Sequence, residues 1–171
     1  MARYNRRRYY NRRPQQNLSW FPVDMSKALG TAGNKTFLVA NSEDRQFDVV
    51  CERQRGIVQL YNAGSGTFSA RGVLYSIVLP DIILGNSNPG DEITGEVPSP
   101  LDGEGTDDFP LWHPVCSQSG HSMMFDSKAK RKIGKDELLS LCFRLDSAGG
   151  SSGSASVGLA VLGRCLFKWK I

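Results

Sequence analysis

Six arginines and three tyrosines interleave at the start of the chain: Arg3, Tyr4, Arg6, Arg7, Arg8, Tyr9, Tyr10, Arg12 and Arg13. No acid lies within residues 1–16. Guanidinium groups fork onto phosphate oxygens and release condensed counterions. Unpaired bases stack on tyrosine rings, each contributing roughly 1–3 kcal/mol. The pattern therefore suits single-stranded nucleic acid, bound through charge and stacking without sequence readout. The same block also reads as a solvated tail or as a nuclear-import address. Like charges packed this closely repel one another, so the arm is expected to be disordered or extended when free.

A second basic cluster comprises Lys128, Lys130, Arg131, Lys132 and Lys135. It either lines the same nucleic-acid surface or keeps a strand edge soluble. Between the two clusters, Gly72–Ser127 contains no lysine or arginine and nine acids. Within it, Asp102, Glu104, Asp107 and Asp108 have the oxygens a hard cation wants, yet they match no defined calcium loop. No metal site is expected there. A loop of this sign avoids nucleic acid, which favours placing it on the side of the domain opposite the arm.

Catalytic patterns are missing. Gly64-Ser65-Gly66 lacks the strand–turn–helix setting of a nucleophile elbow. Asp107 and Asp108 have no apolar pocket in view to split their pKa values. No P-loop or dinucleotide fingerprint occurs. No enzyme activity, catalytic residue or cofactor is expected. The four cysteines, Cys51, Cys116, Cys142 and Cys165, show no CxxC spacing. Cys51, Cys142 and Cys165 lie in apolar stretches, as reduced core thiols do. The two histidines, His113 and His121, are too few for a histidine-based metal site without distant partners.

What must position these residues is a β-domain. With 171 residues the chain is long enough for one domain with a sizeable core. Its 21 basic and 17 acidic groups give +4, but residues 17–171 hold 15 basic and 17 acidic groups, a net of −2. The excess positive charge therefore sits in the arm. No hydrophobic leader or run of about 18–20 apolar residues is present, so a soluble protein made inside a cell, without a membrane partner, is expected. Three parts are predicted: an arm at 1–16, a linker at 17–34 and a β-domain at 35–171. Strands are predicted at Lys35–Asn41, Arg45–Gln54, Ile57–Tyr61, Val73–Leu79, Leu138–Leu145 and Val157–Lys170, with Gly56 as a break and Met123–Asp126 as a weaker candidate. Ile82–Leu84 reads as a short strand or one helical turn. Gly85–Pro110 and Asp146–Ala155 read as long loops. Short strands separated by Gly, Pro, Asn and Asp point to a β-sandwich or barrel.

An Arg/Tyr arm on an all-β domain of this size resembles the capsid proteins of small single-stranded DNA viruses of the circular Rep-encoding group, circoviruses and nanoviruses among them. MARYNRRRYYNRR is similar to their basic N-terminus. KRKIGKDELLSLCFRL resembles their basic hairpin, Gly-x-Asp turn and penultimate strand. SVGLAVLGRCLFKWKI resembles their last strand. Coat proteins of satellite viruses, with RNA genomes, share the plan, so DNA and RNA cargo both stay open. The resemblance implies an eight-stranded antiparallel jelly-roll sandwich and a T=1 homo-oligomeric shell of sixty copies. It also implies arms facing a single-stranded viral genome, outward loops, and contacts with host import machinery and a receptor. Localisation would be the virion, with the host nucleus or cytoplasm during assembly. Six arm arginines in each of sixty subunits make 360 charges, which offset only part of a genome of about a thousand phosphates. Lys128–Lys135, Arg164, Lys168 and Lys170 are candidates for some of the remainder.

The rival reading is a cellular single-strand-binding module, an OB-like barrel with a basic tail. It would stay small, whereas a jelly-roll coat assembles. On the capsid reading, replacing all six arm arginines with alanine should abolish packaging and leave the β-domain folded. Circular dichroism and the nucleic-acid content of purified particles check the two halves of that statement.

Overall fold

The computed structural model describes residues 15–27, 34–42, 48–62, 64, 68–93, 109–117, 121–150 and 157–169. Among them are ten strands and one helical turn: β1 (Gln15–Lys27), β2 (Lys35–Asn41), β3 (Val49–Asn62), β4 (Phe68–Pro80), α1 (Asp81–Leu84), β5 (Glu92–Ile93), β6 (Leu111–Cys116), β7 (Met123–Ser127), β8 (Arg131–Ile133), β9 (Glu137–Gly150) and β10 (Val157–Trp169). They form two antiparallel sheets. Sheet A has the order β1-β10-β3-β7, with β8 also paired to β3. Sheet B has the order β5-β2-β9-β4-β6. Without the short β5 and β8, four strands remain in each sheet. The chain passes from one sheet to the other at every step except β4 to β6. That order is an eight-stranded jelly roll. The OB-like barrel is not the fold observed, because the strands divide into two sheets.

The core lies between the sheets. Sheet A contributes Val49, Cys51, Val58, Leu60, Phe125, Val157, Leu159, Val161, Cys165 and Phe167. Sheet B contributes Phe37, Val39, Leu74, Leu139, Leu141, Phe143 and Leu145. A second cluster packs on the far side of sheet B, where Leu38, Val73, Tyr75, Ile77, Leu79 and Cys142 are covered by Leu84, Ile93, Phe109 and Trp112. The Tyr75 and Phe109 rings meet edge to face at 5.4 Å. Sheet B is thus buried on both faces. This accounts for its nearly unbroken apolar runs, VLYSIVL and LLSLCFRL. Burial pushes the Cys142 thiol up to about 12. Cys51, Cys142 and Cys165 are buried thiols outside any disulfide.

The cover on sheet B is stitched to a β2 bulge. Register shifts between Leu38 and Ala40, and beside that bulge the Leu38 backbone takes two loop partners on the β5 side. Leu38 N–H donates to Asp91 O at 3.0 Å, and Gly90 N–H donates to Leu38 O at 2.7 Å. Gly90 has φ 90°, a conformation that favours glycine. The described ends of the acidic loop therefore lie at the β2 edge of sheet B, through residues 90–93, and over its outer face, through Phe109. Residues 94–108, including Asp102, Glu104, Asp107 and Asp108, lie outside the described residues.

Several expectations need correction. Residues 17–27, read as linker, belong to β1, which pairs along its length with β10. The register slips between Trp20 and Val23, around Pro22. β1 is an edge strand, and proline is tolerated at edge-strand bulges. Gly56 does not break the chain into two strands, since β3 runs through it. Of the two alternatives for Ile82–Leu84, the helical turn is the one observed. Asp146–Gly150, read as flexible loop, continues β9 and pairs with the start of β4. Residues 45–47, 151–156 and 170–171 lie outside the described residues, as does the arm up to Pro14.

Gly56 is opposite Phe125 on β7 and Gly163 on β10. A Cβ at Gly56 would come within 2.2 Å of Leu162 O and 2.7 Å of Phe125 Cζ. The ring occupies the place a side chain would take. Gly56→Ala should therefore lower stability by about 1–3 kcal/mol through overpacking. Gly149, with nothing within 4 Å of its Cβ position, should accept alanine without loss. Chemical denaturation of the two variants checks the contrast.

His113 on β6 lies against Phe125 with centroids 6.4 Å apart, and its buried Nε2 has no hydrogen-bond partner. Burial holds the imidazole below its ordinary 6.5. The unfolded chain therefore takes up this proton first as pH falls, and folding stability drops below pH 6.5. His113→Gln should flatten the acid side of the Tm profile, and an unchanged profile would assign that titration to other groups.

Candidate nucleic-acid interface

Sheet A is buried on one face, so its strands alternate. On β10, Val157, Leu159, Val161, Cys165 and Phe167 point inward, while Leu162, Arg164 and Lys168 are exposed. On β3, Val58 and Leu60 point inward and Arg55 and Ile57 outward. A register shift between Leu166 and Phe167 leaves Glu52 as an extra residue on β3. Bulges re-aim side chains. Here Arg53 comes to the outer face and Gln54 is fully buried.

Two neighbouring rows result. One is Leu162–Ile57–Met124, running across β10, β3 and β7. The next, two residues along, is Arg164–Arg55–Asp126. The rows line a depression of about 630 Å³ together with Arg53, Gly56, Phe125 and Gly163. Met124 is 79% exposed, Leu162 54% and Ile57 40%. The strands carry mirrored tripeptides, Arg55-Gly56-Ile57 and Leu162-Gly163-Arg164. Antiparallel pairing sets arginine beside arginine and aliphatic beside aliphatic.

Asp126 stands in register with Arg55 but gives its carboxylate to Arg53, whose Nε donates at 2.8 Å to Oδ1 while Nη2 donates to Oδ2. This hydrogen bonding holds Asp126 below the usual carboxylate range, assisted by the charges of Arg53 and Lys128. It also raises the Arg53 guanidinium. The pair is exposed and contributes little to stability. Its effect is to commit Arg53. Among the described residues, Arg55 and Arg164 form no ion pair.

The second basic cluster of the sequence lies at one end of this sheet. Arg131–Ile133 form β8, and Lys132 is in register with Val50, which is in register with Lys168, which is in register with Gln15. The residue to which the arm attaches, Lys168 and Lys132 therefore share one row. Lys132 Nζ reaches Asp48 at 2.7 Å and Lys168 Nζ reaches Glu52 at 2.8 Å. Lys128, Lys130 and Lys135 are exposed, and Arg131 is half-buried. The cluster is thus both an edge strand and a neighbour of the arginine face. The arm residues Arg3, Tyr4, Arg6, Arg7, Arg8, Tyr9, Tyr10, Arg12 and Arg13 lie outside the described residues.

Sequence reading singled out Arg164 and Lys168 but missed Arg53, Arg55 and the aliphatic row. The signal was present in the mirrored Arg-Gly-Ile and Leu-Gly-Arg segments. Its meaning depends on register between strands about a hundred residues apart, which the sequence does not state.

No protein-family model matches the chain, and no curated protein matches it. Solved structures do match. One is the native virion of Kashmir bee virus at acidic pH, with 13% identity, 91% of this chain and 73% of that chain covered, and a TM-score of 0.41. Another is a heated full particle of Israeli acute paralysis virus, with 10% identity, coverages of 92% and 74%, and a TM-score of 0.37. These are likenesses in outline, and the jelly-roll assignment rests on the strand order and register.

Proposed function

We propose that this chain is the coat protein of a small icosahedral virus, one that self-assembles into a closed shell and packages single-stranded nucleic acid. The observation that carries this reading is the polarity of the jelly roll. The arm enters sheet A in the row of Lys168 and Lys132, and the exposed Arg55 and Arg164, without an ion pair among the described residues, belong to the same sheet. On the opposite side, outside sheet B, Phe109 at one end of the acidic loop packs over Tyr75, and the other end pairs with the β2 edge. A shell built from such subunits would direct sheet A and the arm toward a polyanion inside and the acidic loop outward.

In this reading the arm supplies mobile charge and stacking. Sheet A supplies a fixed wall, and the β-domain edges supply subunit contacts. The resemblance of the two termini and the basic hairpin favours a single-stranded DNA genome and sixty copies. The interface chemistry, phosphate and unpaired base, is common to DNA and RNA.

Purified full-length protein should elute from size exclusion as large assemblies and appear as closed particles of uniform diameter in negative-stain microscopy. A persistent monomer at all concentrations and salt conditions would sink the coat-protein reading.

A further inference from the structure

The aliphatic row beside Arg55 and Arg164 has no task in charge neutralisation. Five large hydrophobic side chains are exposed among the described residues, and three of them, Ile57, Met124 and Leu162, form this single row. A contiguous exposed apolar patch with a polar rim marks a contact surface. Its occupant must bring an apolar face to the row and an anion to Arg55 and Arg164, about 7 Å away along the strands at two residues' rise. A duplex presents phosphates and hides the faces of its bases. An unpaired nucleotide presents both groups.

We infer that the Leu162–Ile57–Met124 row and the Arg55/Arg164 pair form a subsite for one unpaired nucleotide, with its base against the aliphatic row and its phosphate on the two guanidinium groups. The inference rests on the packaging role proposed above and narrows the cargo to single strands. The thioether of Met124 is suited to a flat ring, because its polarisable sulfur packs against aromatic edges. Arg53 stays out of the subsite, held by Asp126. Arg55 and Arg164 lie side by side in the pair register of β3 and β10, so the anion meets two forks together. A neighbouring protein segment of acidic and apolar character is the competing occupant, and the test separates it.

The experiment is fluorescence anisotropy of the full chain with an oligothymidylate, an abasic oligonucleotide of equal length and a duplex of equal phosphate number, across a salt series. The oligothymidylate should bind more tightly than the abasic strand, with about tenfold of that preference coming from the one base contact of the subsite and the rest from the arm tyrosines. Ile57→Ser, Met124→Ser and Leu162→Ser together should reduce that preference and leave the salt slope unchanged. Arg55→Ala with Arg164→Ala should weaken all three probes and reduce the single-strand salt slope by about 0.7, the share of the one phosphate they hold. All five positions are on the surface, and unchanged circular dichroism would confirm folding. A base preference that persists in full in the serine variant belongs to the arm tyrosines and overturns the subsite. Equal wild-type binding of abasic and thymidylate strands overturns it as well. So does dimerisation without nucleic acid that the serine variant loses. Failure to bind any probe at low salt would overturn the packaging reading along with it.

Discussion

Sheet B is buried on both faces and sheet A on one, and that asymmetry organises the molecule. A strand covered on both sides must be apolar at nearly every position, whereas a strand covered on one side is free to alternate. The chain meets these demands in sequence order, because consecutive strands go mostly to opposite sheets. The consequence is a domain with a roofed side and an open side. On the open side rows of outward side chains meet solvent along the strands, Arg55 and Arg164 among them, whereas on sheet B exposed strand side chains such as Arg71 and Ser147 lie toward one end.

The open face is held in place by packing beneath it. Phe125 fills the space over Gly56, across from Gly163, and this brings β10, β3 and β7 into register. The charges above contribute little to folding. Their arrangement matters for what the surface attracts, since Asp126 engages Arg53, and Arg55 and Arg164 have no ion-pair partner among the described residues. Removing water from a guanidinium is costly without a partner, so two such groups kept at the surface beside an apolar row suit an anionic guest better than a neighbouring core.

The elements most legible in the sequence were those of sheet B. Lys35–Asn41 and Leu138–Leu145 announce themselves because burial on both faces concentrates β-branched, aromatic and leucine residues. Sheet A was harder to read. Pro22 suggests a linker, yet it sits at a bulge on an edge strand. Gly56 suggests a break, yet it makes room for a ring. The Gly/Ser composition of Asp146–Gly150 suggests a loop, yet those backbones pair with Phe68–Arg71. Each misreading has one cause: small or ring-closed residues mark irregular backbone only when no distant strand demands them. The arginine arm was legible because its chemistry is local. The arginine face was not, because its rows exist only after strands from both ends of the chain have met.

The position of β10 has a consequence in time. It is the central partner in sheet A, between β1 and β3, yet it follows every other strand along the chain. Sheet B can be paired by residue 150, whereas sheet A stays open until residues 157–169 slot in. Closing contacts of such wide separation is slow. Leu162 and Arg164 arrive with that last strand. A partly folded chain consequently owns its basic tail but lacks the fixed wall, so the ability to grip a strand at two points matures together with the fold itself.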